Sequence, residues 1–223
     1  MITKHTSMWN KFFIFILAFA ASFAVHGQIT HDANGAHDQQ ADALLKKTAA
    51  RFDQNVSFTV TATILDGDKK QTGSHKAQVL YNRGKYHLTA DGQELICDGT
   101  TVWHWNKKAN EVMVSSLGSD DIDMLNPGRM LSNYTRNFRA KYIRTEDDGT
   151  AVVDLQPLSA RSFHKIRLML DSKSGLLKRM EVHKYDSGRE LYDIVGFKKA
   201  NTPATAFTFA PEQHNGVEII DMR

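Results

Sequence analysis

Residues 57–64 read Ser-Phe-Thr-Val-Thr-Ala-Thr-Ile, and this alternation of apolar and polar residues decides the fold. Because successive side chains of a β-strand point to opposite faces, Phe58, Val60 and Ala62 form one apolar row, and the threonines form a polar row behind it. Ten further short runs repeat this period of two. Asp-Gly, Arg-Gly and Ser-Gly pairs between the runs supply the positive-φ positions that tight hairpins need. The pattern predicts about eleven strands joined mostly by hairpins.

Helical patterns flank and interrupt the strands. Asp38 can cap a helix whose apolar residues recur at steps of three and four, and Ser119 can cap a second helical segment that Pro127 interrupts. A sheet of eleven antiparallel strands curls strongly instead of lying flat. We therefore predict a mainly β (α+β) fold. One strongly curved antiparallel sheet forms an open half-barrel, and helices cover its concave face.

The first 27 residues are typical of a secretory signal peptide. Lys4 and Lys11 precede the apolar run 12–25, no acidic residue comes before it, and small residues precede a cleavage point after Gly27. This run is shorter than the roughly 20 residues of a membrane-spanning helix, which favours cleavage over anchoring. Residues 28–37 are polar and lack periodicity, so we predict a flexible leader. A single domain then covers 38–223, with a helical lid at about 119–138.

The composition argues against several functional classes. The chain has 28 Lys and Arg against 25 Asp and Glu, a balance too close to neutral for a typical nucleic-acid-binding protein. Its single cysteine, Cys97, cannot close an intrachain disulfide, and no cysteine pair with zinc-ligand spacing is present. The sequence also lacks nucleophile-elbow, metalloprotease and phosphate-loop motifs. We predict no catalytic residues, no metal, no cofactor and no nucleic-acid partner.

Methionines and large aromatic residues cluster on the predicted strands and lid. Such side chains suit an adaptable apolar cavity, and they suit an ordinary core equally well, so the pattern alone leaves both interpretations open. The candidate lining of a cavity comprises Phe58, Val60, Tyr81, Tyr86, Leu88, Trp103, Trp105, Met113, Ile122, Leu125, Met130, Leu131, Tyr134, Leu168 and Met180.

Three motifs, in this order along the chain, resemble the periplasmic outer-membrane lipoprotein carriers (LolA-like family). They are YNRGKY at 81–86, CDGTTVWHWN at 97–106, and FTFAP at 207–211 with GVEIID at 216–221. The resemblance covers nearly all of the chain after the signal peptide. It implies that the apolar concave face holds acyl chains beneath the lid. Arg83 matches the family arginine that latches the lid through backbone carbonyls of the lid helices, and Gly84 stands where the family has proline.

The resemblance implies a periplasmic chaperone for acylated lipoproteins. Such a protein receives its cargo from an inner-membrane lipoprotein-releasing ABC transporter and delivers it to an outer-membrane acceptor. We expect this chain to act as a monomer in that role. Two alternatives remain open at this point: a shuttle for another lipid or amphiphile, and an envelope sensor domain that uses the same fold.

Overall fold

The computed structural model describes residues 38–117 and 127–223. The predicted signal peptide and leader, and the first part of the predicted lid with Ile122 and Leu125, lie outside the described residues. Among the helices within these two ranges, none is both long enough and apolar enough to cross a bilayer.

One sheet of twelve strands dominates the fold, in the order β12-β6-β5-β4-β3-β2-β1-β11-β10-β9-β8-β7. Because β12 and β7 lie at the two ends of this order without pairing to each other, the sheet is open, as predicted. The strands are β1 Val56–Leu65, β2 Gln71–Asn82, β3 Lys85–Ala90, β4 Gln93–Cys97, β5 Thr101–Asn106, β6 Glu111–Ser116, β7 Phe138–Thr145, β8 Thr150–Pro157, β9 Phe163–Asp171, β10 Leu177–Lys184, β11 Arg189–Lys199 and β12 Glu218–Asp221.

The twelfth strand corrects the predicted count of eleven. β12 reads Glu-Ile-Ile-Asp, so it is too short and too irregular to show a period of two. It pairs with β6 in parallel, whereas the other neighbours in the sheet are antiparallel as predicted. A parallel pair needs a long connection between its strands, and here the rest of the chain from β6 to β12 supplies it.

Two meanders, β1–β6 and β7–β11, meet where β1 pairs with β11. Strands β6 and β7 therefore lie far apart in the strand order, although only the segment 117–137 lies between them in sequence. Its described part contains helix α2, Pro127–Ser132, and a 3-10 turn, Tyr134–Arg136. The helix ends earlier than the predicted lid, because Phe138 already begins β7.

Helix α1, Gln39–Ala49, begins at the predicted cap and continues into a 3-10 turn, Ala50–Phe52. One carboxylate oxygen of Asp38 accepts hydrogen bonds from the N–H groups of Gln40 (3.1 Å) and Ala41 (3.0 Å). The other oxygen accepts from the N–H of Tyr142 in β7 at 2.8 Å. Asp38 thus caps the helix and joins its first turn to the edge of the sheet.

Replacing Asp38 by alanine should reduce the free energy of unfolding at pH 7 by about 1–2 kcal/mol, since a helix cap is lost and an edge N–H loses its partner. Hydrogen bonds from the backbone, that of Ala41 foremost, hold the pKa of Asp38 below its ordinary value. A lowered folded-state pKa stabilises the protein above the unfolded pKa, and this stabilisation disappears as the pH falls through the folded value. Urea denaturation should therefore show the difference between wild type and variant shrinking towards acid pH. A difference that persists unchanged at pH 2 would contradict this account.

The buried apolar residues form two clusters, one on each face of the sheet. The main cluster joins residues of α1 and α2 to strand residues such as Phe58, Val79 and Leu168. We call the sheet face that carries these residues the core face. The opposite, outer face carries a smaller cluster of Ile96, Val112 and Phe209, against which Trp103, Trp105 and Val217 pack.

Candidate functional site

An aromatic group attaches the end of α1 to the core face. The ring of Phe52 lies 5.6 Å from Tyr81, 6.2 Å from Phe58 and 5.6 Å from Phe197, in each case nearly perpendicular. Edge-to-face contacts of this kind add to the free energy gained by burial. Burial also raises the pKa of the Tyr81 hydroxyl to about 12, so this group stays protonated. The helix end therefore rests on an apolar, uncharged part of the sheet.

The structure brings most of the predicted lining together on or against the core face. Phe58, Tyr81, Tyr86, Met130, Leu131, Tyr134 and Leu168 are buried members of the main cluster. Val60, Leu88 and Met180 pack against the same cluster and remain partly exposed. Met113 also lies on the core face, opposite His104 of β5 and Ile220 of β12, nearer the edge of the sheet.

Trp103 and Trp105 lie on the outer face, so the prediction that they line the same cavity as Tyr81 and Tyr86 is wrong. Trp103 pairs with Ile96 across β4, and the ring of Trp105 lies 5.5 Å from Phe209. The period of two predicts that both tryptophans lie on the same face of the sheet, but it does not identify that face. The strand register identifies it, because Leu95 of the main cluster lies opposite His104, and His104 is the residue between the two tryptophans.

Polar side chains on the core face are the site feature that the sequence analysis missed. A ring nitrogen of His104, Nε2, lies 2.8 Å from Oε1 of Gln93, and burial lowers the pKa of His104, which favours the uncharged ring. Further along the face, Glu190 is 4% exposed and accepts hydrogen bonds from the hydroxyl of Tyr192 (2.8 Å) and the ammonium of Lys184 (2.6 Å). The core face is thus mostly apolar, with hydrogen-bonded polar groups set into it. The only sequence signal for Glu190 was its alternation with Tyr192 and Ile194.

Arg83 lies in the two-residue turn between β2 and β3, where it and Gly84 have φ values of 49° and 91°. Proline cannot adopt a positive φ, so the proline that the resemblance implies at this position could not occupy this turn. The guanidinium Nε of Arg83 donates a hydrogen bond to the backbone carbonyl of Asp53 at 2.8 Å. Among the described residues, Arg83 therefore contacts a backbone carbonyl that follows α1 and its 3-10 turn, whereas residues 119–126 of the predicted lid lie outside the described residues.

Cys97, the single cysteine of the chain, is buried on the core face. Burial raises the pKa of its thiol, with smaller opposing contributions from the hydrogen bonds of Gly99 and Tyr86. A raised pKa disfavours the thiolate, which is the reactive form. In the described ranges, no three His, Cys, Asp or Glu side chains come close enough together to hold a metal ion.

Comparisons with known proteins agree with the motifs. The family model described as "Outer membrane lipoprotein carrier protein LolA" matches residues 43–210. An outer-membrane lipoprotein carrier protein of Edwardsiella ictaluri is 25% identical over 171 residues, which cover 76% of this chain and 81% of the relative.

Two more distant matches extend the comparison. An uncharacterized protein of Methanocaldococcus jannaschii is 21% identical over 178 residues, and the match covers 78% of this chain but only 52% of the relative, about half its length. The crystal structure of an uncharacterized conserved protein from Thermus thermophilus superimposes with a TM-score of 0.59 at 11% identity. That superposition covers 82% of this chain and 99% of the other, and it supports the fold alone.

Proposed function

Because the chain belongs to the outer membrane lipoprotein carrier family, we propose that it binds the acyl chains of lipoproteins on its core face and carries them between membranes. The observation that carries this proposal is the mostly apolar core face, which presents partly exposed side chains within a region that the family model matches. The site would lie in the periplasm, after export by a cleaved signal peptide.

The energetics explain why such cargo needs a carrier. Three acyl chains contain about 45 methylenes, and at ~0.8 kcal/mol for each one, unaided transfer from a membrane to water would cost about 36 kcal/mol. A carrier has to replace most of this burial and still release its cargo. An apolar face that is partly covered by the helices of the same protein meets both needs. The helices bury this face in the empty state, and the acyl chains would bury it in the loaded state.

The partly exposed residues of the core face are the best candidates for contact with acyl chains. Fully buried residues such as Leu168 and Tyr81 already have protein neighbours on all sides, so they maintain the fold. A ligand can add contacts at side chains that retain accessible surface without first displacing protein. These residues are Val60, Leu88, Tyr142, Met180, Tyr192 and Ile194.

The contact of Arg83 with Asp53 offers a means of controlling release. It joins a hairpin of the sheet to the chain that follows α1, so it favours a closed arrangement in which the helix rests on the core face. Cargo that separates the helix from the sheet has to break this bond. Loading is then uphill without an energy source such as the ABC transporter, and release to an outer-membrane acceptor of higher affinity is downhill.

Replacing Arg83 by leucine should make the protein retain its cargo. A hydrogen bond from a charged group contributes about 1 kcal/mol at an exposed position such as that of Arg83, so its loss should tighten binding of a tripalmitoylated lipopeptide by up to about tenfold and slow transfer to acceptor vesicles. Transfer can be followed by fluorescence of a labelled lipopeptide. Lys69→Leu, a change at another positive-φ turn residue, is the matched control. Equal transfer rates for wild type and Arg83→Leu would rule out the latch.

Native mass spectrometry of the protein recovered from its own cell envelope tests the cargo directly. A bound mass equal to an acylated protein supports the proposal, and a bound lipid mass would instead indicate a shuttle for another amphiphile. If the envelope protein is empty and cannot keep a purified lipoprotein soluble without detergent, the proposal fails. That outcome would favour a sensor domain with the same fold.

A further inference from the structure

A cavity lies on the outer face, on the opposite side of the sheet from the core face. Its volume is about 700 Å³, within the range that ligand sites in proteins occupy. Strands β3 and β4 form its floor with Lys85, His87, Glu94 and Ile96, and the chain segment from Ala204 to His214 forms its wall. Since the sheet separates this cavity from the core face, a ligand bound here would leave the acyl-binding residues accessible.

Two charged side chains on the floor of this cavity, Glu94 and Lys85, differ in whether an oppositely charged group pairs with them. Glu94 is paired with the ammonium of Lys107 at 2.5 Å, and its second carboxylate oxygen lies 3.0 Å from Nε2 of His87. Lys85 is exposed, and no carboxylate within the two described ranges pairs directly with it. Asp98 lies within electrostatic range of Lys85, but its carboxylate already accepts hydrogen bonds from the N–H groups of Thr100 (2.9 Å) and Thr101 (2.8 Å). The floor of the cavity therefore presents a cation that an acidic group could bind.

The wall of the cavity offers extended backbone. Thr208 (φ −136°, ψ 135°) and Ala210 (φ −113°, ψ 92°) have the dihedral angles of a β-strand, although this run belongs to no sheet. Among the described residues, the N–H groups of Phe209 and Ala210 have no hydrogen-bond partner. The Phe209 side chain is buried in the outer cluster and stacks 4.7 Å from His214, which keeps the run in place. The N–H of Thr208 and the C=O of Ala210 are bonded within the segment, to Thr205 and Gln213. Because N–H groups of adjacent residues in an extended chain point to opposite edges, a peptide strand can add at one edge, to the N–H and C=O of Phe209 or to the N–H of Ala210 and the C=O of Thr208.

We propose that this outer cavity binds an extended peptide segment of a partner protein, one that carries an acidic side chain for Lys85. Backbone hydrogen bonds to residues 208–210 supply affinity for an extended chain, and the Lys85 ammonium selects the acidic residue. Ile96 supplies an apolar contact on the floor. This goes beyond lipid carriage, since it gives the protein a docking site that is independent of its cargo.

The test uses a phage-displayed library of random linear peptides, selected on the exported protein, with the affinity of the best peptide then measured by fluorescence polarisation. We expect the selected peptides to share an acidic residue, and Lys85→Glu should weaken binding about tenfold. Lys76→Glu makes the same charge change on an exposed residue outside this cavity and should have less than a twofold effect. The amide signal of Phe209 or of Ala210, whichever lies on the edge that the peptide occupies, should shift when the peptide binds.

Three outcomes would overturn the proposal. Selection could enrich no linear peptide, the enriched peptide could bind Lys85→Glu and wild type equally, or the shifted signals could map to Val60 and Leu88 on the core face. The peptide affinity should be the same for empty and lipopeptide-loaded protein. Failure of acyl binding and failure of peptide docking are thus measured separately.

Discussion

Replacing Leu88 by glutamate is expected to weaken the binding of a tripalmitoylated lipopeptide about a hundredfold while the sheet stays folded. Leu88 lies on the core face, paired with Val79 and Leu95, and packs against the main cluster while keeping accessible surface. A carboxylate at this point is solvated in the empty protein, and acyl chains would have to bury it without a partner. Burying an unpaired charge costs several kcal/mol, and about 2.7 kcal/mol already corresponds to a hundredfold change in affinity.

A matched change on the other face separates lipid binding from general effects of charge. Val195 is an apolar residue of β11 on the outer face, 57% exposed, and Val195→Glu should leave lipopeptide affinity unchanged. The uncharged Leu88→Gln should lose about tenfold, between wild type and Leu88→Glu. Affinity is read from the fluorescence of a labelled lipopeptide, and circular dichroism checks folding. If Leu88→Glu and Val195→Glu bind equally well, acyl chains do not occupy the core face.

Replacing Phe52 by alanine should reduce the free energy of unfolding by about 3–5 kcal/mol. The Phe52 side chain is 2% exposed and its ring contacts three aromatic rings at 5.6–6.2 Å, so truncation leaves a cavity that rigid neighbours cannot fill. The loss would take a large share of the 5–15 kcal/mol that stabilises a typical domain. Urea denaturation monitored by tryptophan fluorescence measures it, since Trp103 and Trp105 report on the distant outer face.

The conservative variant Phe52→Leu separates packing from the aromatic contacts. It keeps most of the apolar volume and should lose less than about 1.5 kcal/mol, plus the smaller contribution of the edge-to-face contacts. A loss below about 1 kcal/mol for Phe52→Ala would show that the end of α1 is not held on the sheet by this side chain. In that case the helix would have to be attached elsewhere, for example through Arg51, whose guanidinium donates to the carbonyl of Ser174 at 2.7 Å.

The local features of the fold could be read from the sequence because each depends on neighbours along the chain. Alternation over residues 57–64 predicted β1, and the Arg83-Gly84 pair predicted a tight turn with positive φ. Asp38 was identified as a helix cap, because a cap bonds only to the next few backbone N–H groups. The ordered motifs indicated the family that the family model then matched.

The predicted cavity lining was less accurate, because it depends on which face of each strand meets the rest of the protein. Of the residues predicted to share one lining, Tyr81 and Tyr86 lie on the core face, whereas Trp103 and Trp105 lie on the outer face. A two-residue period separates two faces but does not label them. The apolar character of the tryptophans suggested a cavity lining, yet Trp105 contacts Phe209 and His214, about a hundred residues further along the chain. Trp103 packs against the same outer cluster.

By itself, then, the sequence determined the open, mainly β architecture, the start of α1, the turn at Arg83 and the membership of a carrier family. Only the tertiary structure decided which rows form the core face, that Gln93 and His104 interrupt its apolar surface, and that residues 204–214 form the wall of a cavity against β3 and β4. The physical reason is the range of the interactions. Dihedral preferences and caps act within a few residues, whereas register and burial join segments far apart in the chain, whose contacts no single segment encodes.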